Sequence, residues 1–155
     1  MGDDEILAVM RDAFAAPRPE HFTNFQHCCE CAEHDATLMS RDIDTLTQDD
    51  VGMQSWDPIC FATEEAFAYY LPALARLALG PEHPQWGWYG EQLIRHLEMD
   101  GARNRRWTHC SPVQRRAVAR LLEHISDTRR DLVRAYDLEP ELLRAWEAWA
   151  DAGEA

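Results

Sequence analysis

The sequence predicts an all-α protein, a compact and irregular bundle of about five to six helices with one long loop over about residues 37–62. Three observations carry this prediction. Apolar residues recur at three- and four-residue intervals along most of the chain. Helix starts and stops punctuate it, as at Thr63-Glu64-Glu65, Gly80-Pro81 and Ser111-Pro112-Val113-Gln114. No alternating period-two stretch of useful length occurs, and no repeat of twenty to fifty residues.

Taken in order, residues 4–15 place Ile6, Leu7, Met10 and Phe14 on one helical face, with Asp3 or Asp4 as cap. Pro17 and Pro19 end that helix. Residues 20–36 fit a second helix, in which Phe22, Phe25, Cys29, Ala32 and Ala36 share one arc. His27, Cys28, Cys31 and His34 share another. The long loop follows, with a short helical turn at Thr47-Gln48-Asp49-Asp50 and a bend at Trp56-Asp57-Pro58. A third helix begins after Thr63 and runs to about Leu79, kinked at Pro72. A fourth spans 86–98, and Asp100-Gly101 forms a turn. The capping-box pattern at Ser111, with Pro112 in the first helical position, opens a helix that reaches Tyr136. A last helix carries Pro140 in its first turn and Leu142, Leu143, Trp146 and Trp149 along it.

A chain of 155 residues reads as one domain, 1–155, and buries roughly 70% of its unfolded surface. It needs no disulfide or metal merely to own a core. Apolar residues at 46% and charged residues at 28% are close to average globular values, so a folded chain is the default reading. The net charge is −13, and all fifteen basic residues are arginine. Residues 1–75 hold fifteen acids against Arg11, Arg18 and Arg41, so most of the negative charge lies in the first half. Such a field repels nucleic acid and anionic membranes and suits a basic protein partner.

The acidic start lacks the basic region of a secretory signal, and Ile6 stands where a myristoylation signal needs Ser or Thr. No run of eighteen apolar residues occurs. The expected location is the cytoplasm, and the five cysteines are expected as thiols, metal ligands or redox groups.

The chemistry concentrates at His27-Cys28-Cys29-Glu30-Cys31-Ala32-Glu33-His34-Asp35. Zinc prefers thiolate and imidazole, and structural zinc sites are closed by four ligands. On a helix, Cys28, Cys31 and His34 at three-residue spacing converge on one side, with His27 beside them. One helix rarely supplies four tetrahedral corners, so Cys60 in the loop is the first choice for the fourth, ahead of His109 and Cys110. Cys29 falls with Phe22 and Phe25 and reads as a buried thiol. A cysteine-rich helix without a ligand is the competing reading. A thioredoxin-like role lacks the expected βαβ frame around CxxC.

The other clusters are less specific. Asp42, Asp44, Asp49 and Asp50 lack the residue order of a calcium loop. Arg103, Arg105, Arg106 and Trp107 suit an anion or partner, or pairing with the chain's own acidic half. Phosphate loops, GxSxG and HExxH are absent. Three functional expectations follow: a zinc-type structural site in an interaction protein, a metal-free acidic docking module of the immunity or adaptor kind, or a metalloenzyme with an open metal position.

The stretches Cys28-x-x-Cys31-x-x-His34-Asp35, Trp56-Asp57-Pro58-Ile59-Cys60-Phe61 and Tyr69-Tyr70-Leu71-Pro72-Ala73 together resemble a family of small bacterial proteins of unknown function, across most of the chain. The resemblance implies a bacterial cytoplasmic protein and supplies no activity or ligand.

Overall fold

The computed structural model describes residues 1–151 and Gly153, with Ala102 in its backbone only; the end of the domain predicted to residue 155 lies outside the described residues. The chain is all-α, 66% helical and without strands among the described residues. Its α-helices are α1 (Asp3–Ala13), α2 (Cys29–Met39), α3 (Gln48–Val51), α4 (Glu64–Ala78), α5 (Gly90–Glu98), α6 (Arg105–His109), α7 (Pro112–Thr128), α8 (Arg130–Ala135) and α9 (Glu139–Ala150). Short 3-10 turns occupy Gln54–Trp56, Pro58–Phe61 and Gly101–Arg103. The helices outnumber those predicted, because the helix expected over 112–136 is divided in two, α6 forms in the expected arginine-rich loop, and the long loop contains helical turns of its own.

The core is built on α4, whose near-continuous apolar run is buried from Ala66 to Ala75 with Pro72 inside it. Thr63 caps it by accepting the Ala66 N–H, 3.1 Å away. α1 and α5 pack against α4, while α7 and α5 both pack against α9. Trp88 and Trp149 are buried whole, and each indole N–H reaches a carbonyl, Ala78 O and Leu97 O respectively, both at 2.8 Å. That pairing lets large apolar rings enter the core without stranding a donor. Each fully buried aliphatic or aromatic side chain contributes about 1.5–3 kcal/mol over an exposed one.

Three departures from the sequence reading have local causes. The helix expected over 112–136 breaks at Arg129, whose guanidinium turns to Asp3 on α1 through bonds of 2.8 and 2.7 Å. The helix expected from residue 86 starts at Gly90, because His83 and Gly87 bond each other's backbones at 2.8 and 2.9 Å in a tight turn. Gly87 has φ +77°, a conformation that a side chain disfavours. The helix expected over 20–36 starts only at Cys29.

That last departure decides the site. The Asp35 carboxyl accepts the backbone N–H groups of Phe22 and Thr23 at 2.6 and 3.1 Å, and bonds the His21 ring at 2.9 Å. Thr23 donates its hydroxyl to Cys31 O at 2.6 Å, and its backbone forms an antiparallel bridge with Ala62. Residues 21–23 are therefore folded back along α2 and cannot belong to it. Burial works to raise the pKa of Asp35, but the bonds from His21, Phe22 and Thr23 outweigh it and hold the carboxyl below its usual range.

Candidate metal centre

Cys28 is the N-cap of α2, with extended backbone at φ −163° and ψ 172°. Its Sγ accepts the Cys31 N–H at 3.4 Å, doing with sulfur what Ser or Asp does with oxygen. His27 precedes it in a turn closed by His27 N–H to Asn24 O at 3.0 Å. The His27 Nδ1 lies 3.6 Å from Cys31 Sγ. The donor atoms of His27, Cys28 and Cys31 all lie within 4.8 Å of one another. His27 and Cys28 are exposed, and Cys31 is buried behind them.

The electrostatics of the two thiols diverge. The Cys31 N–H, the His27 ring and the Cys31 thiol lower the Cys28 thiol to about 7. This is the expected effect of a helix N-terminus on an anion. The same contact raises the Cys31 thiol, first through its hydrogen bond to the Cys28 sulfur and then through burial.

The remaining residues of the expected ligand set lie elsewhere. His34 is completely buried, stacked on Phe61 at a centroid distance of 4.5 Å and tilted against Trp56 at 4.5 Å. Its Nε2 is 3.6 Å from a Glu30 carboxyl oxygen. It is not gathered with the cysteines, since its ring fills the space under the 53–61 loop. Cys60 is not the missing corner either. It is gathered with Asp57 and His96 in a second group, again within 4.8 Å. Burial, then the Asp57 charge, push the Cys60 thiol up to about 11. Cys110 is buried and its thiol rises to about 12 by burial, while His109 is exposed. Neither joins a metal-type group among the described residues. Cys29, expected buried, is exposed, because α2 begins with it rather than nine residues earlier.

The second group is held by hydrogen bonds that compete with a metal ion. Asp57 accepts Ile59 N–H at 2.9 Å with one oxygen and bonds Gln92 at 3.2 Å and His96 Nε2 at 2.8 Å with the other. Arg106 donates to His96 Nδ1 at 3.1 Å and to Ile59 O at 2.8 Å, and covers the Phe67 ring at 4.2 Å. Since Nδ1 accepts from an arginine, the ring proton sits on Nε2 and points at Asp57. A cation there would have to displace that proton beside a guanidinium. The group instead ties the 57–61 turn to α5 and α6, which answers the question of the arginine-rich loop for Arg106.

Sequence reasoning missed His96, named Asp57 only as part of a bend, and singled out Arg106 without its partners. One signal was present: Gln92 and His96 stand four apart among the apolar Leu93, Ile94 and Leu97. A buried polar pair on an apolar stripe demands partners from another element.

No protein-family model matches the chain, and neither a curated protein nor a solved structure does. Fold and site define a small all-helical protein with a Cys/His group able to hold a metal ion. No helix among the described residues is long and apolar enough to cross a membrane.

Proposed function

We propose that the protein binds a zinc-type ion through His27, Cys28 and Cys31, and that this centre serves regulation or protein interaction. The carrying observation is a distance. A tetrahedral zinc with typical Zn–S and Zn–N bonds puts a nitrogen and a sulfur ligand about 3.6 Å apart. His27 Nδ1 and Cys31 Sγ are 3.6 Å apart, and Cys28 Sγ lies within 4.8 Å of both. The lowered Cys28 thiol supports the reading, because the ligand is the thiolate.

Three protein ligands leave one corner facing solvent. A partner's side chain, a small ligand or water fills it. The open corner is also what a metalloenzyme needs, and this is the one observation that favours catalysis. The acidic docking reading gains less support. Asp44 pairs with Arg11 at 2.7 Å, Asp49 with His83 at 3.0 Å and Asp50 with Arg41 at 3.2 Å, so these charges are partly spent inside the chain. The proposed location is the cytoplasm, where thiols stay reduced.

Cobalt(II) titration of reduced, chelator-dialysed protein tests the proposal. Sulfur-to-cobalt absorption should saturate at one ion per chain and disappear in Cys28→Ser and Cys31→Ser. His27→Ala should weaken binding. Cys60→Ser and His34→Phe should leave it unchanged. Absent absorption, or equal loss in Cys60→Ser, would overturn it.

A further inference from the structure

We propose that Cys28 and Cys31 form a reversible dithiol–disulfide couple that exchanges with small-molecule disulfides of the glutathione class. The couple does not depend on the metal reading. Because it uses the same two sulfur atoms, the disulfide and metal-bound states exclude one another.

The geometry selects this pair among the five free cysteines. The two sulfur atoms already lie within 4.8 Å. Cys28 caps α2 from outside with extended backbone, so its sulfur can approach Cys31 without breaking the helical ladder. Cys28 is exposed and meets an incoming disulfide, while Cys31 is buried behind it and resolves the adduct. Cys29 is exposed as well, but it is adjacent to Cys28 and two residues from Cys31, a spacing at which helical side chains do not face each other. Cys60 is gathered with Asp57 and His96 in the other group. A βαβ frame is one way to place a CxxC at the start of a helix. Here the Asp35 bonds to Phe22 and Thr23 hold the preceding segment against α2, and the turn from Asn24 to His27 brings the chain to Cys28.

The exchange balances as follows. The Cys28 sulfur, its proton given to solvent, attacks one sulfur of the external disulfide. A Cys28–S–S–R bond forms, the external S–S bond breaks, and one RS⁻ leaves and takes up a proton. The Cys31 sulfur, likewise deprotonated, attacks the Cys28 sulfur. The Cys28–Cys31 bond forms and the second RS⁻ leaves to become RSH. The protein dithiol is oxidised by two electrons and the external disulfide is reduced to two thiols.

The test uses the full chain, free of metal, equilibrated in glutathione buffers of rising oxidised fraction, then acid-quenched, alkylated and mapped by mass spectrometry. A Cys28–Cys31 crosslink should be the main product and should reverse with dithiothreitol. Cys31→Ser should accumulate glutathione on Cys28, and Cys28→Ser should form no internal crosslink, each with unchanged far-UV circular dichroism. Glutathione spread evenly over Cys28, Cys29 and Cys60 with no crosslink would overturn the couple, as would a Cys28–Cys29 product. Cobalt binding by the reduced protein reports separately on the metal reading. A crosslink without cobalt binding rejects the metal and keeps the couple, and cobalt binding without a crosslink does the reverse.

Discussion

Asp57→Asn perturbs the polar knot beneath the 57–61 turn while keeping its shape. Both Asp57 and His96 are nearly inaccessible, with side chains 2% and 6% exposed. In the native chain one carboxyl oxygen accepts from Ile59 and the other faces two donors, Gln92 Nε2 and His96 Nε2. Asparagine can still serve Ile59 with its oxygen, but its NH₂ then points at those two donors. Moving the histidine proton to Nδ1 relieves one clash and creates another, because Arg106 donates to that atom. The substitution also removes the Asp57 charge that acts on the half-buried Arg106. Leaving the buried Gln92 and His96 donors unpaired in this way costs about 1–3 kcal/mol each. That is a large share of the roughly 5–15 kcal/mol that holds a domain folded. Urea unfolding followed by tryptophan fluorescence should show a much lower midpoint with an unchanged slope. Since the knot is separate from the proposed metal centre, cobalt affinity at His27, Cys28 and Cys31 should persist at temperatures where the variant is folded. A loss of less than about 1 kcal/mol would refute the reasoning, since a neutral knot is the only arrangement that tolerates the amide so cheaply.

Three further outcomes are expected. Asp3 is held at about 2, below the usual 3.8, first by Arg129 and then by His124. A depressed carboxyl stabilises the fold above 3.8, and that stability is lost as pH falls through about 2; with Asp3 42% exposed, Asp3→Asn should cost only about 1 kcal/mol at neutral pH and flatten the acid limb of a stability–pH curve. Gly87→Ala puts a methyl group 2.8 Å from the Tyr136 hydroxyl at φ +77° and should cost about 1–3 kcal/mol by urea midpoint. Pairing it with Tyr136→Phe should recover the steric part and leave the backbone part; full recovery would show that the backbone costs nothing. In chelator-treated protein, iodoacetamide labelling of Cys28 should rise with pH about a midpoint near 7, and Cys31 should label only at higher pH. His27→Ala should move the Cys28 midpoint upward, and an unmoved midpoint would remove the histidine from the account.

The sequence by itself determined what depends on neighbours in the chain. The all-α class follows from the apolar period, and the starts at Thr63 and Ser111 follow from caps whose partners lie three residues away. Of the local group, Cys28 and Cys31 stood in the expected ligand set and His27 only beside it, and a span of five residues keeps the three close. Tertiary structure decided everything that depended on distant groups. Asp35 captured Phe22 and Thr23, so α2 begins at Cys29 and Cys28 becomes a cap instead of a mid-helix residue. Phe61 and Trp56 took His34, and Asp57 and His96 took Cys60, from the ligand set the spacing suggested. The physical reason is one of reach. A helical period fixes which residues share a face, but the bond that ends a helix, or the ring that occupies a histidine, comes from a segment twelve or more residues away.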